Sequence, residues 1–173
     1  MLDGLLTDLS ASINDDTFPA VVQAALVHAQ FETIHPFDDG NVRTGCALVH
    51  VILRRRGVAP HFLPPICLIF ARNRDRYINE LTQFRGADVV QGIEQFATAT
   101  FSAAKLAQNH LASVRHLQKG WRQQLRSVVA PLRADSVAWT IVNLLPAHSM
   151  ISAPMAVTAT GRAKNHVYDA IEQ

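Results

Sequence analysis

Apolar residues along this chain recur mostly at helical spacing, and prolines and glycines cut the pattern into segments. No glycine or proline interrupts Ala20 to Ile34, where Val22, Ala25, Leu26 and Ala29 fall three or four residues apart. That stretch predicts a helix with one buried stripe. Pro19 suits its first position, and Pro36 its end, because the residue before a proline is driven toward extended backbone. A second helix is predicted from near Asn41 to Arg56, with Ala47, Leu48, Val51 and Ile52 as its stripe. Arg54, Arg55 and Arg56 would occupy its last turn, where cations meet the negative end of the helix dipole. Gly57 would supply the left-handed cap. The basic triplet thus has a structural reason and is not read as a nucleic-acid patch.

Pro60, Pro64 and Pro65 mark a loop. Further helices are expected over 66–84, from Val89 to about Ala130 with an interruption near Gly120, over 135–145, and as two short pieces around Gly161. Strand alternation and internal repeats do not stand out, so the fold class is all-α. Pro131 divides the chain into an expected helical core, residues 1–130, and a segment 131–173 that resembles a helix-turn-helix. There Thr160 would cap a recognition helix presenting Arg162, Lys164 and Asn165, and DNA contact through residues 152–168 is an expectation for this tail.

Of 173 residues, 49% are hydrophobic and 17% charged, which describes an ordinary globular chain of one domain with or without a small appendage. The net charge of +2 is uneven. Residues 1–112 hold nine Arg/Lys against eleven Asp/Glu, and residues 113–173 hold seven against three. A basic tail can meet nucleic acid, although a solvated surface is the commoner reason for one. Two cysteines, Cys46 and Cys67, exclude a disulfide framework or a four-cysteine zinc site and fit a reducing cytoplasm. With no signal-peptide pattern and apolar stretches cut short by prolines, a soluble cytoplasmic protein without membrane contact is expected.

The chemistry concentrates between the first two predicted helices, in His35-Pro36-Phe37-Asp38-Asp39-Gly40-Asn41-Val42-Arg43. A helix N-terminus offers unpaired N–H groups and a positive dipole end, and so attracts phosphates. Gly40 permits close backbone approach, Asn41 can cap the helix or hold a phosphate, and Arg43 brings a forked cation. Asp39 is a hard oxygen ligand of the kind Mg²⁺ takes, and His35 is a general base suited to neutral pH. Each residue alone is ordinary; base, metal ligand, anion cradle and arginine within nine residues are not. Elsewhere the patterns read as structural. His28, Glu32 and His35 share helical spacing but lack a fourth metal ligand, Cys46 reads as a small core residue, and Trp121 and Trp139 as core or interface.

The stretch from Phe31 to Arg43 resembles the Fic signature His-Pro-Phe-x-(Asp/Glu)-Gly-Asn-Gly-Arg-x-x-Arg, and the likeness extends from about Ala24 through Tyr77 and Leu81. The resemblance implies a helical fold whose loop binds ATP with Mg²⁺ and transfers AMP to a Ser, Thr or Tyr hydroxyl of a protein substrate. By position, His35 would be the general base and Asp39 the Mg²⁺ ligand. Gly40, Asn41, Val42 and Arg43 would hold the phosphates, and Phe37 would anchor the loop in the core. Asn73 and Tyr77 are weaker candidates for nucleoside contacts, with surface packing as the alternative.

Two positions depart from the signature. Val42 stands at the second glycine, where its side chain would crowd phosphate oxygens and would be strained if the backbone needed a positive φ. Cys46 stands at the second arginine and brings no charge. Weakened ATP use, a different donor, and an inactive fold serving as a binding or regulatory module all follow as alternatives. The family's inhibitory pattern (Ser/Thr)-x-x-x-Glu-(Gly/Asn) fits none of Glu32, Glu80, Glu94 or Glu172.

Overall fold

A computed structural model of the chain describes residues 2–86, 88–127, 132–148 and 150–172. Every regular element among them is helical, as expected: α1 (Leu2–Asn14), α2 (Ala20–Ile34), α3 (Asn41–Arg55), α4 (Ile66–Arg72), α5 (Arg74–Arg85), α6 (Val89–Arg126), α7 (Val137–Leu144), α8 (Ala153–Thr160) and α9 (Lys164–Glu172). Two compact units divide the chain, Met1–Gln108 and Asn109–Gln173, with the division inside α6. The boundary expected at Pro131 lies outside the described residues.

In the first unit α2 is the central helix, packed on α1, α3 and α5. It does not bury one stripe. Ala24, Ala25, Val27, Ala29 and Phe31 are all buried, together with the polar Gln23, His28 and Glu32, because neighbours cover it on several sides. On α3 the expected stripe is displaced: Ala47 and Val51 are exposed, and the buried face is Gly45, Cys46, Val49, Ile52 and Leu53. Small residues occupy the crossing with α2, where backbones must approach. The stretch expected as one helix over 66–84 is two, divided at Asn73, whose side chain caps α5 by accepting from the Arg76 N–H at 3.1 Å. Helix α6 continues through Gly120 without the expected interruption. Its Phe96, Ala99 and Ala103 complete the first core with Phe70 of α4.

Arginines at the end of α3 hold the α1–α2 connection. Arg55 donates to both carboxylate oxygens of Asp16, at 3.0 and 2.6 Å, and to the Ile13 carbonyl. Arg56 donates to Gln23 Oε1 at 2.7 Å and to the Phe18 carbonyl. Arg54 and Arg55 lie in the last turn as expected, Arg56 is the residue that follows it, and the bonds to the α1–α2 connection are a structural role beyond the dipole. The two cysteines correct an expectation: Cys46 of α3 and Cys67 of α4 form a disulfide, with Cα atoms 6.2 Å apart. Their pairing removes the ground on which cysteine usage pointed to a reducing compartment. No helix among the described residues is long and apolar enough to cross a membrane.

The second unit gathers α7, α8 and α9 around Val137, Ala156 and Val167. Ser152 caps α8 and Pro154 lies in its first turn. Thr160 ends α8, its hydroxyl donating to the Ala156 carbonyl, and so does not cap α9 as expected; α9 begins four residues later.

Candidate functional site

Helix α2 ends at Ile34, and His35 closes it in the left-handed region at φ 49°, ψ 58°, its N–H donating to the Phe31 carbonyl. The rule for a residue before proline predicts extended backbone here; capping the helix overrides it. His35 is the one non-glycine residue with positive φ among the described residues. Such a conformation costs on the order of 1–3 kcal/mol and persists where its surroundings enforce it.

The loop that follows His35 is held by Asn41. Its side chain is buried, its Oδ1 accepts from the Phe37 N–H at 3.0 Å, and its Nδ2 donates to the Phe37 carbonyl. This clamp ties the middle of the loop to the first residue of α3. Asn41 therefore neither caps the helix nor offers a free side chain to a phosphate; Gly40 is the cap, in the left-handed region at φ 86°. Phe37 corrects another expectation. It is 50% exposed, its ring resting against Phe31 at 6.2 Å between centroids, so the loop is held by the Asn41 amide and not by an aromatic anchor in the core.

Beyond the clamp, no side chain caps α3. The N–H groups of Asn41, Val42 and Arg43 belong to its first turn, where no intrahelical acceptor exists. Asp39 accepts from the Gly40 N–H at 2.6 Å and from Arg43 at 3.2 Å. Both partners of that ion pair are highly exposed, so it is weak and readily exchanged for a ligand. A Cβ on Gly40 would stand 3.3 Å from the Arg43 guanidinium, the end of a flexible exposed side chain that can yield, so it is the positive φ that explains glycine there. Val42 is helical and does not take a positive φ, so the strain expected of it is absent. What remains is bulk: its side chain is 51% exposed in the same first turn. Cys46, one turn beyond Arg43, is spent in the disulfide.

Mg²⁺ usually takes one or two carboxylates and completes its shell with substrate phosphates and water. One exposed carboxylate at a helix N-terminus fits that mode. No group of three or more His, Cys, Asp or Glu able to hold a metal exists among the described residues, so a cage made of protein ligands is not the alternative. Both weaker candidates for nucleoside contacts have structural partners. Asn73 caps α5, and the Tyr77 hydroxyl meets His28 Nε2 at 3.2 Å while its ring lies 4.9 Å from that of Phe70.

Beneath the loop-bearing helices lies a buried polar cluster that the spacing of His28 and Glu32 only partly announces. His28, Glu32 and Glu80 are at most 5% exposed. Among the described residues, His28 Nδ1, Glu32 Oε1 and Glu80 Oε1 have no hydrogen-bond partner. Burial lowers the His28 pKa to about 4 and raises that of Glu80 to about 7; it also raises those of Glu32 and Tyr77. Glu80 therefore holds a proton in the folded chain between pH 4.5 and 7 that the unfolded chain releases, and its contribution to stability is lost as pH rises through that window. Glu80→Gln, which cannot ionise, should raise stability at pH 8 by roughly 1–3 kcal/mol and by much less at pH 5. Thermal melts at both pH values, with the exposed Glu94→Gln as control, check this; an equal shift at the two pH values would refute it.

Residues 1–53, which include the loop, match the family described as Fic/DOC. A probable protein adenylyltransferase of Aquifex aeolicus (strain VF5) is 34% identical over 77 residues, 44% of this chain and 22% of that protein. Protein adenylyltransferase fic-1 of Caenorhabditis elegans is 37% identical over 62 residues, 34% of this chain and 12% of that protein. The matched part is thus less than a quarter of the length of either relative.

Proposed function

We propose that this chain, whose residues 1–53 match the family described as Fic/DOC, transfers AMP from ATP to a Ser, Thr or Tyr hydroxyl of a protein. One observation carries the reading: a left-handed His35 and the open first turn of α3 bracket a loop whose middle is clamped by Asn41. The names of the relatives, both protein adenylyltransferases, support the same chemistry.

In this reaction His35 takes the proton of the substrate hydroxyl. The oxygen attacks the α-phosphorus, the bond to the β-phosphate oxygen breaks, and pyrophosphate leaves. The first-turn N–H groups of Asn41, Val42 and Arg43 hold phosphate oxygens, and Arg43 turns from Asp39 to the nucleotide. Asp39 would hold Mg²⁺ together with the phosphates, and the ion would supply positive charge against that gathering on the leaving group. Gly40 lets the backbone approach.

The Cys46–Cys67 bridge and the bulk of Val42 favour a second reading, an inactive Fic fold used as a binding or regulatory module. Its DNA contact would run through residues 152–168, where α9 exposes Lys164, Asn165 and His166. Incubation with Mg·ATP and mass analysis for an added AMP on the protein or a target separates the two. The enzyme reading expects slow labelling, a loss of about 10²–10⁴ with His35→Ala, and faster labelling with Val42→Gly. Labelling by neither parent nor Val42→Gly would overturn it.

A further inference from the structure

The second unit carries a surface that AMP transfer does not use. On α6, Arg115, Lys119, Arg122 and Arg126 follow one another at spacings of four, three and four residues, which puts them on one face of the helix. All four are exposed, and none forms an ion pair among the described residues. No Asp or Glu occurs anywhere from Gln95 to Ala134, so nothing along this stretch offsets them. With Gln118 and Gln123 they line an open groove of about 290 Å³.

The charges form a line, not a point. Eleven residues of helix set Arg115 and Arg126 about 16 Å apart. A single phosphate or carboxylate would need cations converging on it. A nucleic-acid duplex instead carries one negative charge per about 1.7 Å of its axis and rewards cations spaced along it. Three of the four are arginines, whose planar fork suits phosphate oxygens, and the two glutamine amides can donate to phosphate and sugar oxygens. Two of the cations are already ordered by α7: Arg122 donates to Asn143 Oδ1, and the Arg126 guanidinium lies 5.9 Å over the Trp139 ring. Neither contact neutralises charge, and both reduce the side-chain freedom lost on binding. Of the apolar residues on this part of α6, Val114, Trp121 and Leu125 are half-buried, and the exposed Leu111 and Leu117 stand singly on different sides, so the helix lacks the continuous free apolar face with which a basic helix enters a membrane.

We propose that this face of α6 binds the phosphodiester backbone of nucleic acid without reading sequence. The inference stands on a different surface from the α8–α9 reading above and does not rest on AMP transfer. Fluorescence anisotropy of the full chain with labelled 20-base-pair duplexes of two unrelated sequences tests it, with single-stranded DNA and RNA of the same sequences as further arms. Similar affinity for both duplexes is expected, with log K falling against log salt at a slope of about −4. Arg115→Gln alone should flatten the slope by about one. The quadruple glutamine variant should lose binding while keeping its helical circular dichroism, because all four side chains are exposed. Binding to single strands alone would keep the surface and reassign the form of the backbone. The proposal falls if the parent does not bind any of the nucleic acids, or if the quadruple variant binds like the parent while Lys164→Gln on α9 abolishes binding. Association with anionic-lipid vesicles but not with nucleic acid would also overturn it.

Discussion

Gly45→Val should destabilise the first unit by about 3 kcal/mol, enough to lower its melting temperature by 10 °C or more. Gly45 lies in α3 where that helix meets α2, and a Cβ built on it would stand 2.6 Å from Glu32 Oε1 and 3.1 Å from His28 Nδ1. Helix propensity pulls the other way, since glycine in a helix interior costs about 1 kcal/mol relative to alanine. The clash wins because neither neighbour has room to yield. The His28 ring is held between Phe70, Tyr77 and Phe96, and Glu32 is 5% exposed. Gly45→Ala should therefore be destabilising too, though by less than Val. Gly120→Ala tests the logic with opposite sign: nothing lies within 4 Å of a Cβ there, so a gain of roughly 0.5–1 kcal/mol is expected. Urea melts of the three variants decide it, and a neutral Gly45→Val would refute the crossing argument. The AMP transfer proposed above should fall with stability in Gly45→Val, because α2 and α3 set the two ends of the loop.

The bounds of those two helices were legible because Pro19, Pro36 and Gly57 punctuate them chemically, and the loop was legible because its residue types are unusual together. Which face each helix buries was not. On α3 the helical spacing suggested Ala47, Leu48, Val51 and Ile52, of which Ile52 is buried, whereas a close crossing selects small Gly45 and Cys46, a demand that exists only once α2 lies alongside. Helix α1 could have been found: Leu2, Leu5, Leu6, Leu9 and Ile13 recur at helical spacing. The clamp of Asn41 on Phe37 could not, since the same asparagine satisfies a cap, a phosphate or a loop equally well in sequence. The left-handed His35 was hidden for a related reason. A local rule about proline and a local rule about helix ends disagree there, and only the C-cap geometry decides between them.

Breaking the Cys46–Cys67 bridge should cost roughly 3 kcal/mol, the loop-closure entropy regained by the unfolded chain across a separation of 21 residues. The closed loop contains Pro60, Pro64 and Pro65 and leads to α4, a helix of seven residues that contributes Ile66 and Phe70 to the core. A short helix has little stability of its own, so it depends on that packing and on the bridge. Cys46→Ser with Cys67→Ser should melt about 10 °C below the oxidised parent and should not respond to dithiothreitol. The parent, reduced and verified by thiol titration, should melt with the variant; an unchanged midpoint would show that α4 holds without the bridge. The same bond constrains any attempt to restore the signature. Cys46→Arg returns the missing cation but removes one sulfur of the bridge and puts a long charged side chain at a buried position, so its stability should fall below that of Cys46→Ser. A gain in AMP transfer from Cys46→Arg therefore has to be compared with Cys67→Ser, which loses the same covalent tie and adds no charge. Faster transfer by the arginine variant than by Cys67→Ser would assign the gain to phosphate binding, whereas equal rates would assign it to release of α3 from α4.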